Sequence, residues 1–174
     1  SLHKTTPLKL TSQDAINNDF FSNFDKCDVK YFTRPCIYMN HHYAINYDEA
    51  NKKIYKNILD ILSTNRGDEG NEYISTIKFK NLPFYGVQWH PEKVLFEFLD
   101  PKIPHDNLSQ YISKKTSEHF VNQCRYNSHK LKNEKLLIYY YTLYSRTDVI
   151  KLLDPKHKNS KNYSMFEECY YFTQ

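Results

Sequence analysis

Phe84-Tyr85-Gly86-Val87-Gln88-Trp89-His90-Pro91-Glu92 decides how this chain of 174 residues is read. An apolar, aromatic and β-branched run ends in a histidine, a proline and a glutamate, which predicts a buried strand with His90 at its end. Open α/β sheets build their sites at the carboxyl ends of strands. Pro91 disfavours the helical region for His90, so the chain is expected to stay extended there. Residues two apart in an extended chain share a side, so His90 and Glu92 are expected to point the same way. A carboxylate so placed holds an imidazole in one tautomer while the other ring nitrogen works as base or acid. The nucleophile that such a pair would activate is not evident in the remaining residues.

Upstream, Tyr73-Ile74-Ser75-Thr76-Ile77-Lys78-Phe79 alternates and is expected to pair with the motif strand across Lys80-Asn81-Leu82-Pro83. Ile58 to Leu62 predicts another strand, stopped by the turn signal Thr64-Asn65-Arg66-Gly67-Asp68-Glu69-Gly70. Thr6 to Thr11 alternates as a short strand, and Ser12 to Phe24 reads as a turn with a short helix. Cys36-Ile37-Tyr38-Met39 predicts a strand that delivers Asn40-His41-His42 to its end. If these residues are extended, His41 and His42 face opposite sides and only one enters a pocket. Asp48 to Asn57 reads as one helical turn or a solvated connection.

Downstream, Leu108, Tyr111, Ile112, Phe120, Val121 and Cys124 recur at helical spacing within Leu108 to Asn127, interrupted by the polar turn Ser113 to Glu118. Leu136 to Tyr144 is strand-like, Lys151 to Asn162 is a charged loop, and Phe166 to Phe172 is expected to close the sheet. Strands mixed with one long helix predict an α/β or α+β architecture in a single domain, without repeats.

Composition narrows the class. Hydrophobic residues make up 40% of the chain, which is globular and not disordered. The net charge of +4 is compatible with an anionic ligand and too small to argue for nucleic acid. Tyr139-Tyr140-Tyr141 and Tyr170-Tyr171 read as strand packing in preference to a base-stacking platform. Lys114, Lys115, Lys130, Lys132 and Lys135 form a solvated face that could steer a polyanion. No apolar run approaches the ~18 residues of a membrane span. Cys27, Cys36, Cys124 and Cys169 include no Cys-x-x-Cys pair, and the histidines lack metal-ligand spacing, so no metal site is expected. Asn107-Leu108-Ser109 and Asn162-Tyr163-Ser164 match the glycosylation sequon. Ser1-Leu2-His3-Lys4 has no initiator methionine and no signal-peptide core, as expected of a chain that begins inside a longer protein.

Gly86 to Lys93 resembles the histidine-bearing segment of class I glutamine amidotransferase-like proteins. Trp89, Lys93, Phe96-Glu97-Phe98, Tyr73-Ile74-Ser75-Thr76, Asn40-His41-His42 and the closing Phe166-Glu167-Glu168-Cys169-Tyr170-Tyr171-Phe172 are similar to one branch, the γ-glutamyl hydrolases. The resemblance implies a three-layer α/β (flavodoxin-like) domain, incomplete at its N-terminus, with a Cys-His-Glu triad and no cofactor. In that family a thiolate attacks the γ-linked amide of a poly-γ-glutamyl tail. Carried over, His90 is the triad histidine, Glu92 its carboxylate, and His42 a substrate-pocket histidine. The implied ligand is an anionic folylpolyglutamate, with no nucleic acid or membrane partner. A homodimer and a lysosomal, vacuolar or extracellular placement are further expectations of the resemblance.

The departure lies in the nucleophile. The family's cysteine sits in a Gly-x-Cys-x-Gly elbow whose backbone N–H groups form an oxyanion hole. Gly67, Gly70 and Gly86 are the only glycines, and none flanks a cysteine. The elbow is therefore expected upstream of Thr6, and this chain is expected to be inactive alone. A pseudo-hydrolase that binds glutamylated ligands, or a glutaminase domain feeding a synthase, are the competing expectations.

Overall fold

The structure, a computed structural model, describes residues 3–133, 137, 143–145 and 168–170. It divides into two units, Ser1–Asn127 and Ser128–Gln174. The first begins with strands β1 (Lys4–Thr6) and β2 (Lys9–Leu10), helices α1 (Gln13–Asn17) and α2 (Lys26–Val29), a 3-10 turn (Lys30–Thr33) and strand β3 (Ile37–Met39). Helices α3 (Tyr47–Ala50) and α4 (Lys53–Lys56) precede strands β4 (Leu59–Arg66), β5 (Glu72–Phe79) and β6 (Tyr85–Val87). Helices α5 (Lys93–Phe96) and α6 (Asn107–Arg125) complete it. In the second unit, β7 (Leu143–Ser145) pairs antiparallel with β8 (Glu168–Tyr170). Of the strand expected over 166–172, residues 168–170 are described, and they form β8. The predicted loop at 151–162 lies outside the described residues.

The strand expected over Thr6 to Thr11 is cut in two. Pro7 has no N–H to give a ladder, and Leu8 N–H turns instead to the Phe32 carbonyl at 2.9 Å. β1 therefore pairs with β3, while β2 joins a four-stranded sheet of order β2-β4-β5-β6. Every pairing in that sheet is antiparallel.

β4 runs through Arg66, four residues beyond the expected stop at Leu62. Tertiary hydrogen bonds recruit the turn-like residues. Asn65, 6% exposed, donates to Thr6 Oγ1 and to the Pro7 carbonyl, and accepts from Ser75 Oγ. Thr64 Oγ1 donates to Glu72. The reversal falls at Gly67–Asn71, where Gly70 takes the left-handed φ of +83° that glycine tolerates without a Cβ clash. The register shifts on either side of Ser63, which breaks simple alternation and buries Leu62, Ser63, Thr64 and Asn65 in succession.

β5 pairs with β6 as the alternation predicts, with Ile77 opposite Gly86. A Cβ at Gly86 would lie 3.1 Å from Ile77 Cγ1, a tight contact that glycine avoids where the two strands approach closely. The expected buried motif strand is in fact three half-buried residues at a sheet edge. Gln88 N–H still bonds Ser75 carbonyl at 2.8 Å, after which the chain turns away.

The core is an aromatic cluster. Phe20, Phe21, Phe24 and Phe32 are buried and meet edge-on or tilted, as in Phe20–Phe21 at 4.8 Å and 83° and Phe24–Phe32 at 5.5 Å and 86°. This arrangement sets positive ring edges against negative faces. Tyr111 of α6 closes it edge-on to Phe24 at 5.9 Å.

Asp106 caps α6 by accepting from Leu108 N and Ser109 N. The polar turn expected to interrupt the apolar stripe contributes Ser113 and Thr116 to the buried face, alongside Ser109, Ile112 and His119, while Phe120 is 68% exposed. These hydroxyls are satisfied locally. Thr116 Oγ1 donates to the Ile112 carbonyl at 2.9 Å and Ser113 Oγ to the Pro91 carbonyl at 2.6 Å. The second bond ties α6 to the motif.

His119 lies between Tyr85 (4.5 Å, edge-on) and Phe20 (5.1 Å). Burial lowers its pKa, partly opposed by Asp19. The unfolded chain therefore binds the proton more readily than the folded one. Stability is complete above the ordinary histidine pKa, about 6.5, and falls as pH drops below it. Thermal melts between about pH 7 and 5 should show this loss. His119→Phe should flatten the slope, and a variant with the wild-type slope would assign the acid sensitivity to another group.

Candidate active site

β3 and the Gln88–Glu92 segment meet at the site. His90 N–H donates to the Tyr38 carbonyl at 3.0 Å. This places the imidazole beside the residue that follows β3: Nε2 lies 3.3 Å from the Asn40 carbonyl. On the other edge of the ring, Nδ1 lies 2.7 Å from Glu92 Oε1. The His90 side chain is 32% exposed and that of Glu92 63%. An ionised carboxylate only accepts, so Nδ1 carries the proton in this contact.

His90 and Glu92 thus come together, though not through an extended chain. Pro91 turns the backbone, and Glu92 adopts φ −67° and ψ −29° immediately before α5. The contact is a turn contact, held from behind by Ser113 on the Pro91 carbonyl.

Trp89 anchors the segment. Its side chain is buried (3% exposed), and Nε1–H donates to Thr76 Oγ1 at 3.1 Å. That hydroxyl also accepts from Ser63 Oγ at 2.7 Å. Buried polar groups of β4 and β5, bonded to one another and to Trp89, fix where His90 emerges. Sequence reasoning did not single out Ser63 or Thr76 as supports. Their hydroxyls at otherwise apolar positions of paired strands are the signal that could have found them.

His41 and His42 both line a cavity of about 380 Å³ with Asn46, Asp68, Glu69 and Tyr73. The expectation that only one could do so fails because the chain bends at His42 and is not extended. His41 Nδ1 lies 3.0 Å from the Tyr43 carbonyl, and its ring stands edge-on to Tyr73 at 5.2 Å. Burial is the largest cause lowering the His41 pKa. His42 is exposed on the same wall. Asp68 on the facing turn is paired with Lys4 at 2.7 Å.

Three thiols are described in the first unit. Cys36 is 1% exposed with its Sγ 3.8 Å from the Phe32 carbonyl, and burial pushes its pKa up to about 12. Cys27 and Cys124 are exposed. Among the described residues no thiol hydrogen-bonds to His90.

Comparison with known proteins points to one family. The profile of glutamine amidotransferase class-I matches residues 9–109, so the chain belongs to that family and has its α/β fold. Within it, the curated relatives it resembles include γ-glutamyl hydrolases. The chain is 35% identical to human γ-glutamyl hydrolase over 127 residues, covering 70% of this chain and 35% of the relative. It is 30% identical to γ-glutamyl hydrolase B of Dictyostelium discoideum over 139 residues (74% and 40%). For γ-glutamyl hydrolase 2 of Arabidopsis thaliana the identity is 28% over 137 residues (78% and 40%). The chain spans about two fifths of the length of these relatives. Among the described residues no helix is long and apolar enough to cross a membrane.

Proposed function

We propose that this chain is the C-terminal part of a single γ-glutamyl hydrolase domain and supplies the proton-transfer half of its site. The observation that carries the reading is the 2.7 Å contact between His90 Nδ1 and Glu92, within a segment whose curated relatives are γ-glutamyl hydrolases. The substrate is a poly-γ-glutamyl small molecule such as a folylpolyglutamate. His90 Nε2 takes the thiol proton of a cysteine in a Gly-x-Cys-x-Gly turn outside the described residues, and the thiolate so formed attacks the γ-amide carbonyl. His90 then gives the Nε2 proton to the departing amine, leaving a thioester. Water adds to the thioester as His90 takes one of its protons, and the thiolate leaves with a γ-carboxylate released. Glu92 keeps the imidazole in the Nδ1–H tautomer and stabilises the imidazolium. His42, exposed on the cavity beside His41, contacts the glutamyl tail.

The burial of Cys36 and the absence of a described thiol at His90 favour a second reading, a binding protein without turnover. One assay separates them. Release of glutamate from a γ-linked pentaglutamate is expected to be nil for residues 1–174 and restored in a polypeptide extended upstream through the elbow. Turnover by the 174-residue chain alone would overturn the external nucleophile, and inactivity of both would leave the binding reading. A homodimer, and a lysosomal, vacuolar or extracellular placement, follow from the same likeness.

A further inference from the structure

Tyr38 meets His90 twice. Its carbonyl accepts the His90 N–H at 3.0 Å, and its ring lies 6.2 Å from the imidazole, tilted by 52°. Tyr38 is 1% exposed, so its hydroxyl needs a partner inside the protein. It donates to Asp100 Oδ2 at 2.6 Å. His3 Nδ1 lies 2.6 Å from the same carboxylate oxygen and 3.0 Å from the Tyr38 hydroxyl. Thr5 Oγ1 donates to the Lys102 carbonyl at 2.5 Å, which ties the same loop to β1. The Tyr38 hydroxyl, and then His3, hold the Asp100 carboxyl well below the usual range. Burial, and then Asp100, push the Tyr38 phenol up, so it remains a donor.

The contrast with Glu92 matters. Glu92 is 63% exposed, so water and ions compete for its bond to His90, and exposed pairs of this kind hold geometry weakly. The Tyr38 ring is buried, with β3 fixing its backbone and the bond to Asp100 fixing its far end.

The geometry points to Tyr38 as a positioning residue for His90: Glu92 selects the tautomer, while the Tyr38 ring, locked by Asp100, sets the plane in which the imidazole lies. Asp100 acts through Tyr38 and touches neither His90 nor substrate. This assignment rests on His90 being the proton carrier, but its test reads the imidazole directly and does not require turnover.

Tyr38→Phe removes only the hydroxyl, and Asp100→Asn weakens the acceptor. In the 174-residue chain labelled with 15N histidine and tryptophan, each variant should speed solvent exchange of the His90 Nδ1–H by about tenfold. The Trp89 Nε1–H, bonded to Thr76 of β5 and outside the Tyr38–Asp100–His3 hydrogen bonds, is the internal reference and should keep its protection. Exchange that rises equally at both protons would show general loosening and overturn the assignment, as would an unchanged His90 rate. Loss of pentaglutamate turnover on His90→Ala bears on the proton carrier and not on this result, so the two ideas fail separately.

Discussion

His90→Ala, in a polypeptide extended upstream through a Gly-x-Cys-x-Gly turn, should lower kcat on a γ-linked pentaglutamate by about 10²–10⁴-fold. The imidazole is half-exposed and lies outside the aromatic core, so the variant should melt near the parent temperature. The loss is then chemical: neither the thiol's proton nor the leaving amine has a carrier. Glu92→Gln should cost far less, because the amide oxygen still accepts from Nδ1–H and only the charge is gone. Steady-state rates over a range of substrate concentrations check both. A His90→Ala enzyme that retained most of its rate would remove the imidazole from the reaction.

Phe21→Ala should be the most damaging single truncation in the first unit. Phe21 is 1% exposed and touches Phe20, Phe24 and Phe32. Emptying that position costs about 3–5 kcal/mol by the usual cavity penalty. Domains of this size hold only about 5–15 kcal/mol in total, so much of the chain would be unfolded near body temperature. Urea unfolding followed by circular dichroism would register it as a lower midpoint with an unchanged slope. A shift worth less than about 1 kcal/mol would mean that neighbouring rings collapse into the gap.

What could be read in advance follows the physics of each element. The β5–β6 hairpin was legible because alternation and a Pro83-containing connection are local signals, and Tyr73 to Phe79 does pair with the motif strand. The extent of α6 was legible for the same reason, but its buried face was not. Serine and threonine hydroxyls that bond back to carbonyls lose the polarity on which a periodicity argument relies, and Phe120 was left outside. β4 overran its predicted stop because partners distant in sequence, Thr6 and Pro7, claim Asn65. The meeting of His90 with Glu92 was anticipated, yet by a backbone path the protein does not take. The bend that brings both His41 and His42 to one cavity left no composition signal at all.

The anchoring of Trp89 has a practical consequence. It is the only tryptophan in the chain, it is buried, and it immediately precedes His90. Its intrinsic emission is therefore a label-free optical gauge of whether the end of that strand is intact, blue-shifted while the indole stays sealed against Thr76 and red-shifted once water reaches it.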